Sequence, residues 1–167
     1  MGFLLGEWEK GVHEIPDGSN DSPEIRKYGP PYKVAWCALY GTWGLIQAGL
    51  DILKTASCHG WIRYAKLKNY FYPIDSEDPK AWIPGNSMVF FWDGEHGHYT
   101  SIVWVSPDGQ TVITVEGNKG NRVALVKHSI HEKCIVGTVN PFPPDEQPLD
   151  FERGTCSTKP NVNDSTR

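Results

Sequence analysis

The sequence lacks an excess of basic residues and has no long apolar run. Its net charge is −4 and its isoelectric point is near 5.8, so it has no positive field of the kind that attracts nucleic acid or anionic lipid. No stretch is long and apolar enough to span a bilayer. We therefore expect neither a nucleic-acid partner nor a membrane partner.

The sequence also lacks a disulfide framework. It has only 4 cysteines, and their spacing shows no close pairs, so we expect reduced thiols. These residues are Cys37, Cys58, Cys134 and Cys156. Cys58, Cys134 and Cys156 are expected to be core or surface thiols.

Recognised metal-ligand spacings are missing as well. A zinc site is the main alternative for the histidines, but no region supplies four ligands at a known spacing. The candidates for such a site are His96 with His98, Cys58 with His59, and His128 with His131 and Cys134. The oxygens of Asp17, Asn20 and Asp21 miss the alternation of a calcium loop, so they are interpreted as turn and cap groups. We expect no metal and no cofactor.

The first ten residues lack a basic leader and a long apolar run, so we expect no secretory signal and synthesis in the cytoplasm. The 167 residues suit one domain with a substantial core. We place this domain at residues 1–141. Residues 142–167 are rich in proline and polar groups and have little to bury, so we expect a mobile tail there.

A helix is predicted directly after the two prolines at positions 30 and 31. Because prolines cannot lie inside a helix, and helical periodicity follows them, the helix should begin near Trp36. Cys37 would then lie in the first turn, where unpaired N–H groups and the helix dipole favour a thiolate over a thiol. The alternative is that Cys37 is only a small buried apolar residue.

The two faces of this helix differ in side-chain size. One stripe is bulky and apolar and suits a core, and it consists of Trp36, Leu39, Tyr40, Trp43 and Ile46. The other stripe is small and consists of Cys37, Gly41, Gly44 and Ala48. Since a glycine inside a helix costs about 1 kcal/mol relative to alanine, we infer that a sheet approaches the backbone there and brings a partner group to the Cys37 sulfur.

The remaining pattern predicts helices followed by strands. Helical segments are expected at residues 3–14, 25–28 and 51–72. Apolar runs between turn signals predict strands at residues 88–92, 99–105, 111–116, 122–127 and 135–139. We therefore predict an α+β fold, with N-terminal helices packed on a C-terminal antiparallel sheet of about five to six strands.

A base and an orienting group are predicted at one end of the strand hairpin. His98 opens the strand at residues 99–105, Glu116 closes the next strand, and Asn118 follows in the turn. Because a hairpin brings these ends together, a carboxylate or an amide can orient the imidazole. With Cys37 at a helix start, the set has the parts of nucleophilic catalysis, namely nucleophile, base and orienter. Taken singly, His98 and Glu116 would each be interpreted as a solvated strand end, and only their combination with Cys37 favours a site.

Four segments together resemble the successive motifs of CHAP domains, the cysteine, histidine-dependent amidohydrolases/peptidases. They are residues 32–40 (YKVAWCALY), 84–91 (PGNSMVFF), 97–103 (GHYTSIV) and 115–118 (VEGN). The resemblance covers roughly residues 8–141. It implies a papain-like fold and cleavage of amide bonds in bacterial peptidoglycan, as in phage endolysins and bacterial wall hydrolases.

The resemblance also implies roles for individual residues. Cys37 would be the nucleophile, with its backbone N–H in the oxyanion hole, and His98 would be the general base and acid. Glu116 would orient His98, and Asn118 would be a further polar site residue. Asn86 stands where the family usually has aspartate.

The expected setting follows from the same resemblance. The partner would be bacterial peptidoglycan, acted on at the cell wall by a monomer made in the cytoplasm of a bacterial host. A holin-type export partner or an immunity partner could accompany it. Candidates for the substrate groove are Tyr32, Trp36, Trp92 and His96. Two alternatives remain, a catalytically idle wall-binding or virion structural domain and an interbacterial toxin with the same chemistry. Whether the enzyme is an N-acetylmuramoyl-L-alanine amidase or a stem or cross-bridge endopeptidase stays open.

Overall fold

Among the described residues, the helices precede the strands along the chain. The computed structural model describes residues 1–29 and 33–142. The helices are α1 (Gly2–Glu9), a 3₁₀ helix (Ile25–Tyr28), α2 (Cys37–Gln47) and α3 (Cys58–Leu67). Trp36 is the N-cap of α2, so the predicted helix start is confirmed. Tyr32 and all but the first residue of the tail predicted at residues 142–167 lie outside the described residues.

Two helical predictions extended too far. The first helix ends at Glu9 because the chain turns at Gly11, whose φ of 67° is left-handed. In the segment at residues 51–72, helix is confined to α3, where the Ser57 side chain caps the first turn by accepting from the Gly60 N–H. The aromatic residues that follow α3 form a strand instead of a helix, because they pair with the end of the sheet.

The described strands form one antiparallel sheet. They are β1 (Phe71–Pro73), β2 (Ser87–Phe91), β3 (Gly97–Val105), β4 (Thr111–Glu116), β5 (Ala124–Ser129) and β6 (Ile135–Val139). Their order across the sheet is β1-β6-β2-β3-β4-β5, and every neighbouring pair is antiparallel. The predicted α+β layout is therefore confirmed, with β1 added to the five predicted strands.

The start of β5 lies two residues later than predicted. The turn after β4 is long, with Asn118, Gly120 and Asn121 all at positive φ. Arg122 then forms an isolated bridge with His13 instead of joining the strand. This bridge ties the segment after α1 to the end of the β4–β5 hairpin.

The small stripe of α2 is approached from two sides. A Cβ at Gly41 would collide with the Tyr99 ring of β3, and a Cβ at Gly44 would collide with the Leu4 side chain of α1. The inferred close contact with the sheet is therefore confirmed at Gly41, whereas the close neighbour of Gly44 is helix α1. Both glycines allow α2 to lie close to its neighbours.

The two faces of the sheet carry separate cores. On the face covered by α1, α2 and α3, the strands contribute Val89, Tyr99, Val103, Ile113, Val115, Leu125 and Val139. The opposite face buries Met88, Phe90, Ile102, Val105, Val112 and Ile135, covered by Ala81 and Trp82. We call these the helix face and the loop face.

Asn86 fixes the turn that leads from Trp82 into β2. It is fully buried, and its Nδ2 donates to the carbonyls of Lys80 and Ala81, each at 2.8 Å. A carboxylate has no N–H to donate, so an amide fits this position and an aspartate would not make these bonds.

Candidate active site

Cys37 is the first residue of α2 and is 4% exposed. The residue before it, Trp36, is held from two directions. Its Nε1 donates to Glu14 Oε1 at 2.9 Å, and its ring stacks on Tyr28 with centroids 5.9 Å apart. Because Trp36 is fixed, the start of the helix and the Cys37 backbone N–H have a defined position.

His98 and Glu116 meet at the ends of adjacent strands. His98 is the second residue of β3 and pairs with Phe90 of β2, while Glu116 is the last residue of β4. The His98 Nε2 lies 2.8 Å from Glu116 Oε2, and the Glu116 side chain is fully buried. The hairpin therefore brings the predicted base and the predicted orienter into a direct hydrogen bond.

Cys37 and His98 come from opposite faces of the sheet. Strand alternation places His98 with Phe90 on the loop face, whereas Cys37 belongs to the core of the helix face. Each side chain shifts the pKa of the other as a close, hydrogen-bonding neighbour does, His98 lowering the pKa of Cys37 and Cys37 raising that of His98. Because His98 Nε2 is bonded to Glu116, Nδ1 is the ring nitrogen left for the sulfur. The arrangement is a chain from thiol to imidazole to carboxylate.

The environment of Cys37 favours the thiolate. The pKa of the Cys37 thiol is lowered well below its usual value, first by a hydrogen bond from the Cys58 thiol. Burial acts in the opposite direction, but the hydrogen bond and positive charge of His98, together with a backbone bond from Tyr99, add to the lowering. A thiolate is the form in which a cysteine can act as a nucleophile.

The two partners of the thiolate are held in their charged forms. Burial alone would lower the pKa of His98, but its hydrogen bonds with Cys37 and Glu116 and their negative charges raise it to about 9. Burial alone would raise the pKa of Glu116, but bonds from His128 and His98 hold it far below its ordinary range. The three groups together therefore favour the combination of thiolate, imidazolium and carboxylate.

Cys58 is a contact that the sequence did not reveal. It is the first residue of α3, and its pKa is raised by the hydrogen bond to Cys37 and by burial, so it stays a thiol and donates. A Cβ at Gly97 would lie 2.8 Å from Cys58 Cβ. The close approach therefore needs glycine at the start of β3. No local signal relates Cys58 to Cys37, because the remainder of α2 and a loop separate them along the chain.

Glu116 has two further partners that were not predicted as site residues. His128 Nε2 lies 2.6 Å from Glu116 Oε1, and the Thr114 hydroxyl donates to the same oxygen at 2.6 Å. In the sequence, His128 entered only as a candidate zinc ligand. A usable signal was present, because Thr114, Glu116 and His128 occupy positions of the β4–β5 hairpin that share one face.

Asn118 lies in the turn after β4, but its side chain is bonded elsewhere. Its Nδ2 donates to Asn20 Oδ1 at 3.0 Å. In the same way, Asn121 Nδ2 donates to Asp17 Oδ1 at 3.0 Å. The loop that contains Asp17 and Asn20, which was predicted to form a turn, therefore holds the turn between β4 and β5 through these two bonds. Asn118 acts there as a structural group rather than on His98.

The predicted groove residues fall into different environments. Trp92 is 60% exposed, with its ring centroid 6.2 Å from that of His98. His96 is exposed in the same hairpin, and its Nδ1 lies 2.6 Å from Asp93 Oδ2. Trp36 is 1% exposed, so the groove role predicted for it does not fit, because no ring face is left for a ligand. Tyr32 lies outside the described residues.

A surface pocket of about 560 Å³ lies on the outer side of α3. Its lining consists of His59, Ile62, Arg63, Lys66 and Leu67. The His59 ring lies 4.1 Å from that of Phe91, so the pocket lies beside the thiol pair rather than at the His98–Glu116 bond. A ligand bound there would contact α3 and not the candidate triad.

The described residues offer neither a metal-binding cluster nor a membrane-spanning helix. Across residues 1–29 and 33–142, no three His, Cys, Asp or Glu side chains gather in a way that could hold a metal ion. None of the helices described has the length and apolar character needed to cross a bilayer.

Comparison with known proteins gives no relative. No protein-family model matches the chain. Neither the curated proteins nor the solved structures contain a match. Any functional conclusion therefore rests on the residues and their geometry.

Proposed function

We propose that the protein is a cysteine hydrolase that cleaves an amide bond of bacterial peptidoglycan. In this proposal Cys37 is the nucleophile, His98 is the general base and acid, and Glu116 orients His98. The observation that carries the proposal is the bond of 2.8 Å between His98 Nε2 and Glu116 Oε2, which leaves Nδ1 for the Cys37 sulfur. Nucleophile, base and orienter thus follow one another in the order that acyl transfer needs.

The first half of the reaction forms a thioester. The Cys37 thiolate attacks the amide carbon, a C–S bond forms, and the carbonyl electrons move to the oxygen. The Cys37 N–H at the start of α2 donates to that oxyanion, since the first N–H groups of a helix have no partner within it. The His98 imidazolium gives its proton to the leaving nitrogen, the C–N bond breaks, and the amine departs.

The second half releases the acid. His98, now neutral, takes a proton from water while the water oxygen attacks the thioester carbon. The C–S bond then breaks and the thiolate is restored beside an imidazolium. Glu116 stays ionised throughout, and its bond to Nε2 keeps the ring oriented with Nδ1 towards the sulfur.

The substrate class rests on the resemblance of four segments to CHAP domains. These segments supply Cys37, the turn into β2, His98 and Glu116 in the order expected for that family, and a papain-like arrangement is part of the proposal. Asn86 departs from the family pattern, yet its two bonds to backbone carbonyls explain an amide at this position. The attacked carbonyl belongs to the muramoyl–L-alanine bond or to a bond of the stem or cross-bridge, since the mechanism is the same for each.

The test is the release of soluble fragments from purified peptidoglycan, followed by turbidity and by mass spectrometry of the muropeptides. We expect wild-type protein to release them and Cys37→Ala to release none. Cys134→Ala is the matched control, because Cys134 is also a free thiol but is only partly buried and lies outside the triad. A new N-terminal alanine in the fragments identifies an amidase, and free glycine or D-alanine ends identify an endopeptidase.

Two results would overturn the proposal. Equal clearing by wild type and Cys37→Ala would exclude Cys37 as the nucleophile. Folded wild-type protein that sediments with the walls but releases nothing would be a wall-binding domain without catalysis.

A further inference from the structure

The Glu116 carboxylate lies between two imidazole rings. Its Oε2 faces His98 Nε2 at 2.8 Å, and its Oε1 faces His128 Nε2 at 2.6 Å. The Thr114 hydroxyl donates to Oε1 as well, at 2.6 Å. The proposed mechanism uses only the bond to His98, so the bond to His128 has no role in it.

His128 is itself held by a second carboxylate. Its Nδ1 lies 3.1 Å and 3.2 Å from the two carboxylate oxygens of Glu132. Both ring nitrogens of His128 therefore face carboxylates. A neutral imidazole has only one N–H, so one carboxylate would then face a lone pair, whereas an imidazolium donates to both. The geometry therefore favours the doubly protonated ring.

We propose that His128, oriented by Glu132, is a positioning residue of the candidate active site, where it stays an imidazolium and fixes Glu116 with Oε2 towards His98. This inference rests on the proposed function, because it assigns His128 to the same site. The titratable groups that act on His128 are Glu116 from β4 and Glu132 from the turn after β5. From β2 the ring of Phe90 packs against it, with centroids 5.0 Å apart, and contributes no charge.

Two physical consequences follow for the reacting groups. A buried carboxylate without enough hydrogen bonds and counter-charge is costly, so His128 keeps Glu116 ionised at its fully buried position. A second cation on the same carboxylate also weakens the stabilisation that Glu116 gives to the imidazolium form of His98. His98 can then give its Nδ1 proton to a leaving amine more easily than it could if Glu116 had no other partner.

The first test reads the protonation of His128 directly, without a substrate. In ¹⁵N-labelled wild-type protein at pH 7, we expect both ring nitrogens of His128 to carry a proton, with the signals assigned by their loss in His128→Gln. In Glu132→Gln, which keeps an acceptor but removes its charge, the His128 ring should lose its proton at a lower pH. An unprotonated His128 ring nitrogen in the wild type at pH 7 would overturn the proposal.

The second test separates positioning from simple packing. His128→Gln keeps an N–H donor near Oε1, so we expect kcat to stay within about tenfold of wild type with KM unchanged, and the alkaline limb of the pH profile to move to higher pH. His128→Leu has no donor, and we expect its kcat to fall about 10²-fold at unchanged KM. A folded His128→Leu with the kcat and pH profile of the wild type would exclude the positioning role.

A third readout keeps this inference separate from the substrate assignment. Mass spectrometry of the peptides gives the rate at which iodoacetamide alkylates Cys37. This rate shows how much of the thiolate–imidazolium pair is present at each pH. One outcome is that the wild type leaves peptidoglycan intact while His128→Gln shifts the alkaline pH at which the alkylation rate changes. In that case the substrate assignment fails and the role of His128 holds. If the profile of His128→Gln coincides with that of the wild type, the role of His128 fails.

Discussion

The two faces of the sheet bury side chains of different kinds, and the candidate site joins them. The helix face is filled by apolar groups such as Val89, Tyr99 and Val115. The loop face holds an apolar core too, but His98, Glu116 and His128 lie beside it in a buried polar row. Cys37 lies on the helix face, next to this row at the start of β3.

The two faces should respond differently to substitution. Apolar packing is non-directional, and it tolerates changes of shape that keep the volume. The polar row depends on the direction of each hydrogen bond, and the loss of one member leaves buried charges unpaired. We therefore expect substitutions in the polar row to affect activity and stability together. Substitutions on the helix face should affect them by shifting the position of α2.

The largest effect is expected from Glu116→Ala, which breaks the row at its centre. Both histidines lose their shared acceptor, so the free energy of unfolding should fall by roughly 3–5 kcal/mol, as for other broken buried ion pairs. Release of muropeptides should fall about 10²–10⁴-fold, because His98 loses its orienter. Urea unfolding and the peptidoglycan assay measure the two effects. Glu95→Ala is the control, because Glu95 is an exposed carboxylate in the β2–β3 hairpin. Unchanged stability of Glu116→Ala would show that the polar row does not depend on each of its members.

The same carboxylate predicts acid sensitivity. The pKa of Glu116 is lower in the folded protein than in the unfolded chain, so its stabilising contribution is present above the unfolded value of about 4.5 and is lost as the pH falls. Glu116→Gln cannot titrate and should lack this part of the pH dependence of unfolding. Parallel acid unfolding curves for the variant and the wild type would show that Glu116 is not the responsible group.

The second largest effect is expected from pH. The imidazolium of His98 is needed to protonate the leaving amine, and its pKa is about 9. The rate should therefore fall about tenfold per unit above that pH. The acid limb should lie well below the ordinary pKa of a thiol, because the Cys37 pKa is lowered. Rates on peptidoglycan across the pH range measure both limbs, and a flat profile would argue against the pair.

An intermediate effect is expected on the helix face. In Gly41→Ala the new methyl group collides with the Tyr99 ring, so we expect a loss of about 1–3 kcal/mol in stability and reduced activity as α2 shifts. Gly6→Ala is the matched control inside α1, where nothing lies within 4 Å of the added Cβ, and it should gain up to about 1 kcal/mol. Thermal unfolding of the two variants measures the contrast, and equal changes in both would refute the close approach at Gly41.

The smallest effect is expected from Trp92→Ala at the exposed edge of the loop face. The ring lies beside His98 and is free to stack on a substrate, so KM should rise up to about tenfold, which corresponds to about 1.4 kcal/mol, while kcat changes little. Stability should change by less than about 0.5 kcal/mol. Phe3→Ala, half exposed on α1, is the control for the loss of a surface aromatic. An unchanged KM would remove Trp92 from the groove.

The parts of the site that could be predicted from sequence are those with a local cause. Trp36 and Cys37 follow a proline pair, so the helix start could be located. His98 and Glu116 stand at the ends of strands joined by a short hairpin, so their meeting could be deduced from the turn. In each case the signal and the contact lie within one supersecondary unit.

The contacts that could not be predicted join units that are distant along the chain. Strand β1 forms because it pairs with β6, and nothing in its three residues specifies that partner. The Cys58 thiol reaches Cys37 only because α3 packs where Gly97 leaves room. The side chain of Asn118 is taken by Asn20, which a pattern of nearby residues does not reveal.

The sequence by itself determined the α+β order, the helix that begins at Cys37 and the meeting of His98 with the end of β4, where Glu116 and Asn118 were both candidates, because periodicity, proline and turn chemistry act over a few residues. Only the tertiary structure decided that Glu116 is shared with His128, that Cys58 donates to Cys37, and that Trp36 is buried while Trp92 is exposed. Those outcomes depend on which faces pack together, and packing is settled by the burial of the whole chain rather than by any one segment.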